Sequence, residues 1–560
     1  MSNAAIYLNP EAYDTSGKAL MGRQSAGESF LRGYLKHTRS EALYFWNVAQ
    51  RPPEDLKAFI SAIAPIPRDS EIIAREDRGG LARAGNVFLT NPNLAGEAWA
   101  RRTAGASTDY GITCITHTTA SAWVMDSLAN MMTAPIEPWD RLICTSNAVR
   151  ASVEVELEAV RNDLEIRLGA TRVPEPRLVT IPLGINTADF AVSEASRTEW
   201  RRTLDIPEDA IVVLYIGRFN HQAKMNPIPM AMALERAARQ TTKKVFWVQA
   251  GWGVSEAMDT AYHDQCRSQC PSVGYRTVDG RKPEVRFSIW SVADLFFSLS
   301  DNIQETFGLT PVEAMAAGLP CVVSDWNGYR DTVRHGIDGF RVSTYAPAAG
   351  AGGDLAYRHA NNWITYDQYV GAASQLTVVD VGESARALLD LIDDPDLRQR
   401  MGTAARERAR EVFDWSHVIP QYEAMWAEMT AERLAARGQD SSPRNLAPNP
   451  RRLDPFHLFG GYPTEWLSPS TMVMMTPGAS WESVEALIKL SMATHGGTAL
   501  PQISELKAMV ERLMTHRQMT AGDLALVFRA NRREIVQRGV LFLAKYDVVT
   551  VLPRARNIAG

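Results

Sequence analysis

A strand, a glycine turn, a short helix and a second strand follow one another between residues 298 and 325, and this unit constrains the fold more than any other stretch. The apolar run at 294–300 predicts a buried strand, and 321–325 predicts the next one. Between them Gly308 breaks the chain, and Thr310, with a proline directly after it, is the expected N-cap of the helix. The unit predicts a parallel sheet whose strand ends meet a helix N-terminus, where phosphates bind.

Two carboxylates, Glu305 and Glu313, flank this expected anion site. A carboxylate beside a phosphate repels it unless it faces another group, and sugar hydroxyls are the obvious candidates. Glu313 stands three residues after Thr310, so it also fits the carboxylate of a capping box. Glu305 also fits a solvated loop residue. From the spacing alone, both interpretations of the pair stay open.

The segment 305–328, ETFGLTPVEAMAAGLPCVVSDWNG, resembles the E-x7-E signature of the retaining group 1 glycosyltransferases of GT-B fold. The resemblance implies that Glu313 holds the ribose hydroxyls of a nucleotide diphosphate sugar. It also implies that Glu305, together with the backbone between the two glutamates, orients the sugar. The substrate-binding positions implied here are Phe307, Gly308, Leu309, Thr310 and Glu313.

Two cations follow the apolar run at 211–216, which predicts the first strand of a second domain. Arg218 comes directly after Gly217 at the end of this run, and Lys224 comes six residues later. Cations in this place suit a diphosphate, because each charge-assisted hydrogen bond contributes about 1.5–3 kcal/mol. A solvated loop pair is the alternative. The stretch resembles the family's G-R...K motif, whose cations hold the leaving diphosphate, although the loop here is one residue longer. The resemblance implies a reaction without a metal ion and without a cofactor.

Two further candidates lie in the first part of the chain. His117 follows the β-branched run at 112–116, and a histidine at the end of a first-domain strand contacts the transferred sugar in the resembled family. A structural histidine is the alternative. Gly22, expected in the loop after the first strand, is the nearest match to the family's glycine turn at the donor phosphate, although the usual paired glycines are missing. The four expected catalytic residues are His117, Arg218, Lys224 and Glu305.

The length of 560 residues and the order of these motifs predict an α/β chain with two Rossmann-like domains facing a cleft, plus a small, mainly α module. An aromatic-bearing insertion in the second domain suggests a lid, an acceptor platform or a packed surface subdomain. The expected segments are an acceptor-side domain at 1–195, a nucleotide-sugar-binding domain at 196–434 with the insertion at about 342–379, a linker and docking segment at 435–480, and a helical, winged-helix-like module at 481–560.

Composition limits the partners. The net charge of −5 and the pI near 6.1 predict no general attraction to nucleic acid, so we expect the C-terminal module to bind protein or to dimerise. An odd count of five cysteines in apolar contexts indicates a reduced, cytoplasmic location. No apolar stretch has the length of a bilayer span, so any membrane contact would be peripheral. Asp394-Pro-Asp396 superficially resembles a metal-binding D-x-D motif but precedes an arginine-rich helix, so we interpret it as a helix cap and expect no metal site.

The function expected from these observations is transfer of a hexosyl group from a nucleotide diphosphate sugar to a hydroxyl acceptor, with retention of configuration. The acceptor class stays open between a glycan, a lipid-linked compound and a small molecule, with polysaccharide biosynthesis as the general context. Two alternatives stand beside it. One is a regulatory or scaffold protein of the same fold that acts through its C-terminal module, and the other is a nucleotide-sugar epimerase.

Overall fold

The computed structural model of the chain describes residues 3–15, 22–253, 255–439 and 449–552. It divides into two compact units, one ending at Asn449 and the other beginning at Pro450. The first unit contains both parallel sheets of the protein. The two Rossmann-like domains therefore share one unit.

The first domain is built on a parallel sheet with the strand order β3-β2-β1-β4-β5-β6-β7. Its strands are β1 (Ala5–Leu8), β2 (Leu43–Asn47), β3 (Ser70–Ala74), β4 (Asn86–Leu89), β5 (Gly111–Ile115), β6 (Arg141–Cys144) and β7 (Arg177–Thr180). Its helices are α1 (Gly22–His37), α2 (Pro53–Ile63), α3 (Arg78–Ala84), α4 (Leu94–Thr103), α5 (Ala122–Met131) and α6 (Asn147–Leu168). Strands β4, β5 and β6 are buried along their whole length, because helices cover both faces of the sheet.

The second domain repeats this plan with the strand order β10-β9-β8-β11-β12-β13. Its helices α7 (Glu194–Thr203), α8 (Ile228–Ala238), α9 (Glu256–Gln269), α10 (Pro283–Ser288), α11 (Leu309–Ala317) and α12 (Tyr329–Thr332) alternate with its strands. The strands are β8 (Ile211–Arg218), β9 (Val245–Trp252), β10 (Gly274–Asp279), β11 (Leu295–Ser298), β12 (Cys321–Ser324) and β13 (Gly339–Val342). Two doubly wound parallel sheets confirm the predicted fold class.

After β13 the chain forms the expected insertion. It consists of an antiparallel pair, β14 (Thr344–Tyr345) and β15 (Val378–Val379), that encloses two helices, α13 (Gly353–Ala360) and α14 (Tyr366–Gln375). Helices α15 (Val381–Asp393) and α16 (Pro395–Arg408) then return to the Rossmann pattern. Asp394 accepts a hydrogen bond from the amide of Leu397 at 2.9 Å, so the predicted helix cap at Asp394 is confirmed.

Helix α17 (Trp415–Gln439) crosses back from the second domain onto α1 of the first. Trp415 begins it and packs between Gly33 and Gly184, with its indole N–H donating to the Ser29 hydroxyl at 2.9 Å. A Cβ atom at either glycine would overlap the indole ring. The crossing therefore depends on two positions without side chains.

The second unit is a small module with its own core around Val473, Leu506, Val510, Val540 and Leu543. Its helices are α18 (Pro455–Leu458), α19 (Trp481–Ile488), α20 (Ser491–Thr494), α21 (Ile503–His516), α22 (Ala521–Leu526) and α23 (Arg533–Lys545). They accompany an antiparallel sheet of order β17-β16-β18, formed by β16 (Met472–Met475), β17 (Gln518–Thr520) and β18 (Val549–Val551). Strand β16 lies inside the stretch predicted as a linker at 435–480, so the folded module begins earlier than residue 481. Part of that linker, 440–448, lies outside the described residues.

Replacing Gly33 by alanine tests the packing at the crossing. Helix propensity alone would make Gly33→Ala stabilising by up to about 1 kcal/mol. Because the new methyl group meets the Trp415 indole, we expect instead a loss of about 1–3 kcal/mol in the free energy of unfolding. Urea unfolding measures the change, with Ser25→Ala on the same helix as control. A Gly33→Ala protein as stable as the parent would contradict this packing.

Candidate active site

Arg218, Lys224 and Glu305 come together at the carboxyl ends of two adjacent parallel strands. Strand β8 pairs with β11, Arg218 is the last residue of β8, and the loop after β11 carries Glu305. The Lys224 Nζ atom lies 2.7 Å from the Glu305 Oε2 atom. The Arg218 guanidinium donates a long bond of 3.5 Å to the carbonyl of Ala223, on the loop between the two cations. Lys224 and Glu305, which are 81 positions apart in the chain, thus share one corner of the cleft with Arg218.

Glu305 is held in its charged form. Burial by itself would raise the pKa of this carboxyl, but the charge and hydrogen bond of Lys224 lower it. The backbone N–H groups of Thr306 and Phe307 add hydrogen bonds of 3.2 and 3.4 Å to Glu305 Oε1. The net effect is a pKa below the usual value. Glu305 is therefore an anion fixed in place by three donors.

The turn before α11 needs a glycine. Gly308 has φ +90°, and a Cβ atom there would overlap the ring of Tyr329. Gly308, and not Thr310, is the N-cap of α11, and none of the described side chains caps this helix. The predicted N-cap at Thr310 and its capping box are therefore wrong, because the helix starts two residues earlier than the sequence signals indicate. Thr310 lies in the first turn, where backbone N–H groups point beyond the strand ends.

Glu313 is a carboxylate without a hydrogen-bond partner among the described residues. It projects from α11 and is largely buried, and burial raises its pKa to about 7, although the charges of Arg286 and Lys224 oppose the shift. The capping interpretation is excluded by the geometry of Gly308. What remains is a desolvated carboxylate beside two cations, an arrangement typical of functional sites.

Arg286 is a residue of this region that sequence reasoning missed. It lies on α10, its charge acts on Glu313, and its guanidinium is 3.9 Å from the Glu28 carboxylate of the first domain. No local motif marks Arg286, since its neighbours Glu284 and Phe287 give the ordinary pattern of a short surface helix. The only signal in the sequence that could have pointed to Arg286 was its positive charge, seven residues after the end of β10.

His117 follows β5 and reaches the same cleft from the first domain. Its carbonyl accepts a hydrogen bond from Thr306 Oγ1 at 3.2 Å, and the Ser146 hydroxyl donates to the Thr306 carbonyl at 2.7 Å. Burial lowers the pKa of the His117 imidazole to about 4, with a further contribution from the charge of Arg23. The imidazole is therefore neutral near pH 7 and can donate one hydrogen bond.

A Cβ atom at Gly22 would meet nothing within 4 Å, and its role at the donor phosphate stays a prediction. Gly22 is exposed and is the first residue of α1, whereas we predicted it in the preceding loop. Residues 16–21 of that loop lie outside the described residues. The next residue, Arg23, lines a cavity of about 140 Å³ in the first domain that also reaches His117. Its other walls include Glu11, Phe30, Asn91, Trp415 and Tyr422.

Neither a metal cluster nor a membrane helix is found in the described ranges. No three His, Cys, Asp or Glu side chains in the described part of the chain are placed to share an ion. Among the same residues, no helix is both long and apolar enough to cross a bilayer. The five cysteines are buried free thiols.

The fold places this chain in the class of α/β proteins that are built from two Rossmann-like domains. Residues 196–353 match the family model of the glycosyl transferases group 1. The second domain of this chain is therefore similar to the group 1 glycosyltransferases, as the E-x7-E and G-R...K motifs predicted.

Comparison with known proteins agrees with this assignment. The chain is 26% identical over 317 residues to a D-inositol 3-phosphate glycosyltransferase of Kineococcus radiotolerans, covering 54% of this chain and 63% of that protein. It is 28% identical over 290 residues to the protein of the same name from Corynebacterium kroppenstedtii, covering 50% of this chain and 54% of that protein. The chain thus spans between half and two thirds of the length of these curated relatives.

Solved structures of similar proteins were also found. Anabaena HepE in complex with UDP gives a TM-score of 0.46 at 14% identity, covering 78% of this chain and 100% of that one. A glycosyltransferase from Rickettsia africae gives 0.48 at 13% identity, covering 76% and 98%.

The protonation of Glu313 gives a pH-dependent prediction. The pKa of Glu313 is raised in the folded state, so the protonated side chain favours the folded protein. This contribution to the free energy of unfolding is complete below the unfolded pKa of 4.5 and is lost as the pH rises to about 7. Glu313→Gln should therefore unfold like the parent at pH 4.5 but be more stable by about 1–3 kcal/mol at pH 8.

Urea titrations of both proteins at the two pH values measure this difference. Glu305→Gln is the matched control, and it should change stability in the opposite direction at pH 8, because the pKa of Glu305 is lowered. Equal effects of Glu313→Gln at both pH values would show that Glu313 is not a desolvated carboxylate.

Proposed function

We propose that this protein is a retaining glycosyltransferase that moves a hexosyl group from a nucleotide diphosphate sugar to a hydroxyl acceptor. The observation that carries the proposal is the convergence of Arg218, Lys224 and the free N-terminus of α11 between the two carboxylates Glu305 and Glu313. The positive groups are suited to bind a diphosphate. The carboxylates are suited to accept hydrogen bonds from the hydroxyl groups of the ribose and the sugar on either side of the diphosphate.

Arg218 and Lys224 neutralise the diphosphate in place of a metal ion. When the bond between the sugar and the phosphate breaks, negative charge grows on the leaving oxygen. Fixed cations and the N–H groups at the start of α11 stabilise this charge without further rearrangement. Because Lys224 is held by Glu305 at 2.7 Å, its ammonium group is in place before substrate arrives.

The two glutamates have separate tasks in this proposal. Glu313 accepts hydrogen bonds from the ribose hydroxyls, which supply the partners that its carboxylate lacks in the described residues. Glu305, with the backbone from Phe307 to Leu309, orients the hexose. The neutral imidazole of His117 donates a hydrogen bond to the same sugar from the first domain.

The chemical step needs no carboxylate nucleophile. The bond from the anomeric carbon to the phosphate oxygen breaks, and a bond to the acceptor oxygen forms on the same face of the sugar. The acceptor's proton moves to the leaving phosphate oxygen. The acceptor is proposed to approach from the first-domain cavity beside His117. A cytoplasmic location fits the five buried free thiols.

The proposal is tested by a screen of donors in EDTA. UDP, GDP and ADP derivatives of glucose, galactose, mannose and N-acetylglucosamine are incubated with monosaccharide, lipid-linked and inositol 3-phosphate acceptors. We expect nucleoside diphosphate release with at least one donor, and an axial donor should give an axial product by NMR. Loss of turnover in EDTA that manganese or magnesium restores would contradict the metal-free mechanism, and an inverted product would contradict retention.

Removal of the Arg218 cation measures its share of catalysis. Arg218→Ala should lower kcat/KM at least about 100-fold, equivalent to roughly 2.7 kcal/mol, because a cation facing the leaving diphosphate acts mostly in the transition state. Arg202→Ala, which removes an exposed arginine of the same domain paired with Glu199, is the control and should keep full activity. Unchanged activity in Arg218→Ala would remove this residue from the site.

A further inference from the structure

The insertion between β13 and α15 brings one of its helices to the candidate site. Its first helix, α13, has no buried residue, whereas α14 buries Val370 completely and Ser374 nearly so. Val370 forms a small apolar cluster with Ala223 of the second domain and Ala120 of the first. Helix α14 therefore touches both Rossmann-like domains at once.

On the second domain, α14 lies against the loop that carries Lys224. Gly371 faces Gln222, and a Cβ atom at Gly371 would lie 3.1 Å from the Gln222 Cβ atom and 3.3 Å from its Cα atom. Ala223, the next residue of the loop, packs against Val370. The contact therefore reaches the loop backbone directly beside the Lys224 cation.

On the first domain, α14 lies over the segment that follows His117. Tyr366 neighbours Thr118, and its ring is also close enough to Arg218 for the charge of Arg218 to act on its hydroxyl. Ala120 closes the apolar cluster from this side. The helix thus spans from the candidate sugar-contacting histidine to the two candidate diphosphate cations.

The loop after β8 is also anchored from below, by Phe219 and Met225 in the core of the second domain and by several polar contacts. Asn220 Oδ1 accepts from the amides of Gln222 and Ala223 at 3.0 and 2.8 Å. Asn302 donates to the Gln222 carbonyl at 2.6 Å, and Asp301 accepts weakly, at 3.4 Å, from the amide of Asn226. These bonds hold the loop against the second domain. The apolar contact with α14 covers the face of the loop at Gln222 and Ala223.

We propose that α14 is a positioning element, which clamps the Arg218–Lys224 loop to the first domain and sets the distance between the diphosphate cations and His117. The inference rests on the proposed function for what the loop binds. Gly371 is its key residue. A glycine in a helix interior weakens the helix relative to alanine, and here its missing side chain is what lets α14 approach Gln222.

The test enlarges Gly371 in steps. Gly371→Ala places a methyl group at a distance from Gln222 that demands a shift of a few tenths of an ångström, and Gly371→Leu demands more. Gly353→Ala and Gly353→Leu on α13 of the same insertion are matched controls, since nothing lies within 4 Å of a Cβ atom at Gly353. All four variants are made in the full chain.

Hydrogen–deuterium exchange and nucleotide binding are measured on each variant. Hydrogen–deuterium exchange without ligand should show faster exchange of the segments 117–121 and 220–226 in Gly371→Leu, and unchanged exchange there in the Gly353 variants. Titration with UDP, GDP and ADP should show at least 10-fold weaker binding of the preferred nucleotide in Gly371→Leu and a smaller loss in Gly371→Ala, because a displaced cation no longer meets the diphosphate. Melting curves check that every variant is folded.

The outcomes separate the inference from the proposed function. Unchanged exchange of 220–226 in both Gly371 variants, or nucleotide binding equal to that of the Gly353 controls, would overturn the positioning role of α14. If the parent protein binds none of the three nucleotides, the proposed function fails, and the exchange data by themselves then decide whether α14 orders the loop. Should Gly371→Leu not fold, Gly371→Ala carries both measurements.

Discussion

The ion pair between Lys224 and Glu305 is the interaction on which the candidate site depends. It joins the loop after β8 to the loop after β11 through a contact of 2.7 Å between largely buried groups. Within the pair the two charges largely compensate each other. Arg218 and the N-terminus of α11 therefore supply most of the positive character of the corner in the empty protein, and Lys224 adds an ammonium group that Glu305 holds in place. A diphosphate placed there would meet positive groups whose positions are already fixed.

The two glutamates show how the environment, and not the residue type, sets the state of a carboxyl group. Both are largely desolvated, yet the pKa of Glu305 is lowered and that of Glu313 is raised to about 7. Glu305 has an ammonium group and two backbone N–H groups as partners, whereas Glu313 has only more distant charges in the described part of the chain. A carboxylate kept without partners lowers the stability of the empty protein, a cost that binding sites commonly carry.

Much of this arrangement was determined by local sequence. The apolar runs, Gly308 and Gly318 define the strand, turn, helix and strand around the site, because both glycines have positive φ, which interrupts regular helix and strand geometry. The cap at Asp394 followed from one side chain and the amide three residues later. The start of α11 was predicted two residues too late, since Gly308 takes the cap position with its backbone alone. The short strands β16 and β17 were missed because three or four residues show no clear alternation.

Only the tertiary structure decided which distant residues meet. Arg286 is placed beside Glu313 by the packing of α10, and no pattern in the sequence connects the two. Val370 reaches Ala120 and Ala223 because the insertion folds back over the cleft, a result of chain topology. The sequence by itself determined the elements and the type of chemistry, through local backbone and side-chain preferences. The distances and pKa values of the site arise from contacts between residues up to hundreds of positions apart, which local preferences do not specify.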